Sequence, residues 1–273
     1  MPRISWNGFQ NQYHLWLTGL FTGDMGLSFV SSRPVTELIW EAAGTTVWLL
    51  LLSFAITLSL ALLVSLRMVS SGGEGLRNML LPVLIVLDSV PFFVLCLVLL
   101  LLFANPDMLQ LFPVFGLGYV SLSDQSVWSA LAYSLPYLVL PIVCLVLANL
   151  PYITNQFYSS LKGTMQADYI RTARAKGLPE RQVIRKHALR NALLPVITIL
   201  TDVLPALVAG AVVIETIFAI PGIGRLLVSS VLSRDFPVIV GIVVVIALVK
   251  MLSHVLADIF YALTDPRITQ HNR

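Results

Sequence analysis

The chain has 273 residues, 57% of them apolar and only 11% charged, with a net charge of +3. Soluble domains keep roughly a quarter of their residues charged, so in water this composition has too little polar surface to cover its own core, and a bilayer is the solvent that suits it. An ordinary soluble enzyme is excluded, and the two cysteines, Cys96 and Cys144, each inside an apolar run, argue against a disulfide framework or a cysteine metal site.

In chain order, residues 1–44 read as an extracytoplasmic or interfacial segment. They show no basic region followed by an apolar one, so no secretory signal is expected, and Trp6 to Phe21 is weakly amphipathic. A membrane domain over 45–263 follows, with five stretches that reach the roughly twenty apolar residues a spanning helix needs. These are Thr45 to Leu66, Leu80 to Phe103, Ala130 to Tyr152, Ala192 to Val213 and Pro237 to Leu263. No charge lies between Asp124 and Lys162, a run too short for two spans and a turn, so one helix is expected to continue past the membrane surface. Residues 264–273 form a tail. Solenoid repeats are absent. The expected fold is an all-α, polytopic membrane helix bundle.

Orientation follows from the Lys and Arg count, because basic residues are retained in the cytoplasm. One side carries twelve: Arg67, Arg77, eight from Lys162 to Arg190, Arg267 and Arg273. The other carries four, Arg3, Arg33, Arg225 and Arg234, while Lys250 lies within the last span. The C-terminus is therefore expected in the cytoplasm and the N-terminus outside, which would require a long tail to cross without a preceding helix.

The insert over 162–191 holds eight basic residues. At about 2.5 to 3.5 kcal/mol for each at mid-membrane, burying them would cost on the order of 20 kcal/mol, so the insert is aqueous. Its pattern is helical: Ala167, Ile170 and Ala173 recur at three-residue spacing, Gly177 suits a left-handed cap, and Pro179 with Glu180 opens a second helix bearing Val183, Ile184, His187 and Ala188 on one face. Small residues flanked by guanidinium groups suit close docking of another protein. A loop that merely obeys the positive-inside rule fits equally well. An anionic-lipid or nucleic-acid patch is disfavoured, since no aromatic platform interleaves the charges.

Within the spans, Asp88 beside Pro91 and Asp202 beside Pro205 suit either a translocation path or a structural role, and each proline suits a bend. Lys250, His254 and Asp258 share one helix face, where pairing of His254 with Asp258 is expected. Pro221-Gly222-Ile223-Gly224 forms a turn-rich break that suits a re-entrant or surface segment.

The insert YIRTARAKGLPERQVIRKHALRNALLP resembles the cytoplasmic coupling loop of binding-protein-dependent ATP-binding-cassette (ABC) permeases of the peptide, opine and nickel group. GDMGLSF with SRPVTELI, ETIFAIPGIGRLLVSSVLSRDFPVIVG and YALTDPRI agree with the same group in the same order. The N-terminal stretch is similar to the B-type, dipeptide and oligopeptide permease subunit, which usually starts with an additional span that is not found here. Arg171-Thr172-Ala173 stands where the loop's Glu-Ala-Ala would be.

The resemblance implies a type I importer permease that supplies a path and no chemistry. It further implies Ala167, Asp168, Tyr169, Ile170, Arg171, Ala173, Arg174, Ala175, Lys176 and Gly177 as the ATPase-coupling loop. Implied partners are a second, C-type permease, two cytoplasmic ATPases, an extracytoplasmic solute-binding protein and membrane lipid, with no nucleic acid. No cofactor or metal is expected on this chain. No G-x-x-x-x-G-K-[ST] loop occurs, which agrees with ATP being bound by partner chains. The expected location is the inner membrane, with peptides as the default cargo. An ion-coupled secondary transporter is the rival, weakened by the lack of an inverted repeat. An intramembrane hydrolase is disfavoured because H-E-x-x-H and G-x-S-x-G are missing.

Overall fold

In a bilayer every backbone N–H and C=O must be satisfied within its own segment, so long apolar runs become long helices. The computed structural model describes residues 12–70, 72–114, 116, 127–189, 191–192 and 211–264, and no β-strand is present among them. The helices are α1 (Gln12–Phe21), α2 (Val35–Val69), α3 (Glu74–Ser89), α4 (Phe92–Ala104), α5 (Val127–Met165), α6 (Asp168–Ala175), α7 (Glu180–Gln182), which continues into a π-helical turn at Val183–Ala188, α8 (Ile223–Ser233) and α9 (Phe236–Thr264).

α2 and α5 form the central pair. The buried positions of α2 recur every three or four residues, through Ala42, Thr46, Leu49, Ser53, Thr57, Ala61, Ser65 and Met68, and most are small. Small side chains let two helices approach closely where lipid supplies no hydrophobic drive between them. The hydroxyls on this stripe are satisfied: Thr57 donates to the Ser53 carbonyl at 2.7 Å, and Ser65 donates to the carbonyls of Ala61 (2.7 Å) and of Thr154 on α5 (3.0 Å). Ala61, Ile153 and Phe157 pack at this contact, while Leu49, Cys96, Leu145, Ile214 and Phe218 belong to the neighbouring core.

α2 begins ten residues before the predicted span, because apolarity marks where a helix crosses lipid rather than where its backbone turns. Arg33 binds Glu37 at 3.0 Å and Glu41 at 2.6 Å, so the polar first turns run into the apolar ones without a break. With 35 residues, α2 is about 52 Å long, well beyond the roughly 30 Å hydrocarbon thickness. α5 runs past the predicted span to Met165, as the absence of charge before Lys162 suggested.

The predicted span from Leu80 to Phe103 is not one continuous helix. α3 and α4 meet at 103°, with the break at Val90 and Pro91. Proline disfavours the helical conformation of the residue before it, and Val90 is accordingly extended at ψ 124°. Among the described residues three helices, α2, α5 and α9, are long and apolar enough to cross a membrane, or four if the bent pair is one span. Most of the predicted span from Ala192 to Val213, with Asp202 and Pro205, lies outside the described residues.

Candidate functional site at the two ends of the bundle

The basic end is built on the last turns of α5. Met165 ends the helix, and Ala167, in an extended conformation, starts α6. α6 closes at Ala175, where Gly177 at φ +73° provides the left-handed turn read from the sequence, and Pro179 caps α7. The hairpin packs on the bundle through Leu161, Ile170, Ala173, Val183, Ala188 and Ala192, with Leu66 and Val69 of α2 against them. Ser160 also donates to the Ala192 carbonyl at 2.7 Å.

The two helices of the hairpin are joined by a fork. Arg174 donates from Nη2 to Glu180 Oε1 at 2.6 Å and from Nε to Oε2 at 3.1 Å. This bidentate geometry orients as well as attracts, and the hydrogen bonds from Arg174 hold the Glu180 carboxyl below its usual range. The Arg171–Asp168 pair, at 3.6 Å and almost fully exposed, contributes little.

The ten residues of the expected coupling loop thus divide. Ile170 and Ala173 are buried in the chain's own core, Ala167 is half-buried, and Asp168, Tyr169, Arg171, Arg174, Ala175, Lys176 and Gly177 face outward. Asp88 is exposed one turn before the Pro91 break, and Asp202 lies outside the described residues. Lys250 and His254 occupy an exposed face of α9, and the Asp258 side chain is outside the described set.

At the opposite end, sequence reasoning missed two carboxylates. Glu215, fully buried, accepts a hydrogen bond from the Thr46 hydroxyl of α2 at 2.6 Å and from the backbone N–H groups of Gly224 at 2.7 Å and Arg225 at 3.1 Å. The Thr46 oxygen in turn accepts the Ile223 N–H at 2.9 Å. Three free N–H groups at the start of α8 are therefore capped by side chains remote in sequence, and a negative charge at a helix N-terminus is favourable. A Cβ on Gly222 would overlap the Glu215 carboxyl, and one on Gly224 would overlap the Val212 backbone. The turn-rich break is thus a tight wrap around a buried acid.

Asp235, in the turn between α8 and α9, holds the other tie. Its Oδ2 accepts the Ser28 hydroxyl at 2.5 Å and its Oδ1 accepts the Phe29 N–H at 3.0 Å. Burial pushes this carboxyl up, but Ser28 and the backbone N–H groups of Phe29, Val30 and Val238 together hold it below its usual value. The available signal was a lone acid flanking each glycine- or proline-marked turn: Glu215 before Pro221-Gly222, and Asp235 before Pro237.

A bundle of bent and broken membrane helices carrying a packed basic hairpin at one end is the architecture of a transport permease. The family model of the binding-protein-dependent transport system inner membrane component matches residues 62–270, and the chain belongs to that family. A peptide transport system permease protein of Brucella abortus (strain 2308) is 38% identical over 254 residues, covering 93% of this chain and 78% of that protein. The oligopeptide transport system permease protein AppB of Bacillus subtilis (strain 168) is 36% identical over 262 residues, covering 94% and 79%.

Among solved structures, an inward-facing MetNI methionine ABC transporter chain is similar with a TM-score of 0.66 at 17% identity, over 86% of this chain and 99% of that one. A chain of an amino acid ABC transporter crystallised with histidines is similar at 0.59 and 15%, over 83% and 94%. The fold is that of type I ABC importer permeases, and the protein is a permease subunit of such an importer.

Proposed function

We propose that this chain lines, with a second permease, a path for peptides delivered by an extracytoplasmic binding protein, and that two cytoplasmic ATPases drive it through the basic hairpin. The observation that carries this reading is the hairpin's construction: its inner face belongs to the α5 core, while Ala175, Lys176 and Gly177 are exposed at its tip. A push on the tip is then transmitted to α5 rather than absorbed in a loose loop. Peptides are the cargo because the relatives reported above are named for peptide and oligopeptide transport. ATP binds to the partner chains, and this chain carries no cofactor. The basic end faces the cytoplasm, together with the C-terminus, and the Glu215 and Asp235 ties face the binding protein.

Replacing Gly177, at φ +73°, with leucine strains the turn and blocks close approach at the tip. The expected outcome for Gly177→Leu is normal membrane insertion and continued ATP hydrolysis with loss of peptide uptake; uptake at the wild-type rate refutes the coupling role. Asp88 and Asp202 face the path in this reading and favour cationic or zwitterionic peptides. Asp202→Asn then shifts uptake toward neutral and acidic peptides, and an unchanged preference counts against it.

A further inference from the structure

Between the last two turns of α2 and the α7 turn lies a pocket of about 380 Å³. Its floor is apolar, made by Leu63, Leu66 and Ile184, and its rim carries three guanidinium groups, Arg67, Arg181 and Arg185. None of the three forms an ion pair among the described residues. Glu180 also lines the pocket, but both of its carboxylate oxygens are engaged by Arg174, so the rim is left cationic.

Although the absence of interleaved aromatics spoke against a lipid patch on the insert, we propose that this pocket binds an anionic glycerophospholipid, its phosphate held by the arginines and the start of an acyl chain laid over Leu63. The two halves of the ligand match the two halves of the pocket. Guanidinium groups recognise phosphate through paired N–H donors, whereas a free phosphate would have no use for an apolar floor. Leu63 is 59% exposed on the flank of a spanning helix, so a chain seated there continues into the surrounding lipid. A lipid in this place bridges the end of α2 to the second helix of the hairpin. Which leaflet supplies it rests on the orientation proposed above; binding itself does not.

The test uses the full-length chain in nanodiscs of phosphatidylcholine doped with phosphatidylglycerol, with retained lipid counted by native mass spectrometry. Nanodiscs present the lipid on both faces, so failure of binding and failure of the orientation are distinguishable. At about tenfold or more for each arginine's charge-assisted hydrogen bond to the phosphate, Arg181→Gln with Arg185→Gln weakens phosphatidylglycerol retention about 100-fold. Arg77→Gln with Lys186→Gln removes the same charge outside the pocket, where it is screened from the bound phosphate, and leaves retention within about twofold of wild type. Inorganic phosphate at tens of millimolar does not displace the lipid. Arg181, Arg185 and Lys186 are solvent-exposed and Arg77 is half-buried, and unchanged helicity by circular dichroism checks the fold. Equal losses in the two double variants overturn the proposal in favour of general attraction to anionic membranes, and displacement by phosphate overturns it in favour of a free-anion site.

Discussion

Glu215 illustrates how one buried carboxylate organises several separate pieces of chain. It joins α2 through Thr46, its own helical segment, and the first N–H groups of α8. Removing it takes the acceptor from the N–H groups of Gly224 and Arg225 and leaves the Thr46 hydroxyl only the Ala42 carbonyl at 3.4 Å, and each unsatisfied buried group costs about 1 to 3 kcal/mol. Glu215→Ala is therefore expected to destabilise the detergent-solubilised protein by at least about 2 kcal/mol, with Glu215→Gln intermediate because it preserves shape and one acceptor. Thermal unfolding measures this, and an alanine variant with the wild-type midpoint contradicts the role. Gly222→Ala should be as damaging, since its Cβ takes the space of that carboxyl. The local sign of Glu215 is only its place six residues before the Pro221-Gly222 turn, whereas Asp88 and Asp202 stand inside apolar spans with prolines three residues on.

At the scale of elements, the segment between α1 and α2 is fixed at one point by Asp235. Because the folded-state pKa of Asp235 is depressed, the tie contributes stability that is present above the unfolded value near about 4 and lost as pH falls through the lower folded one. Protection of the Phe29 amide, relative to its intrinsic exchange rate, is expected to persist from pH 7 down to about pH 4 and to be lost below it, whereas in Asp235→Ala, which leaves no acceptor, it is lost already at pH 7. Slow exchange in that variant would show that other contacts hold the segment. The hairpin at the other end was legible in detail, down to the Gly177 turn and the Pro179 cap, because turn and capping chemistry is local. The α3–α4 bend was half legible: Pro91 marked a bend, but hydropathy is blind to direction, and the 103° turn depends on how both helices pack against α5. The true start of α2 was hidden for a related reason, as Glu37 and Glu41 lower hydropathy while their pairing with Arg33 keeps the helix intact.

For the whole molecule, large apolar side chains remain outward-facing along α2, α3, α4 and α9, among them Trp48, Val86, Phe93, Leu101, Val249 and Met251. In lipid such a surface is at ease, and the packed stripe of α2 against α5 supplies the internal fixed frame. That frame connects the two ends: α2 reaches from Thr46 at the Glu215 cap to Leu66 at the hairpin core, so movement imposed on the basic end has a continuous helical route to the opposite face. In the proposed function this movement originates in another protein's nucleotide cycle. Ala175 is exposed at the hairpin tip, and the two native cysteines are buried, so a single Ala175→Cys substitution offers one reactive thiol in place. Cross-linking from that cysteine in native membrane vesicles should capture an ATPase subunit, with a yield that changes when nucleotide is added. Capture of no nucleotide hydrolase from this position, under conditions where peptide uptake proceeds, would contradict the account.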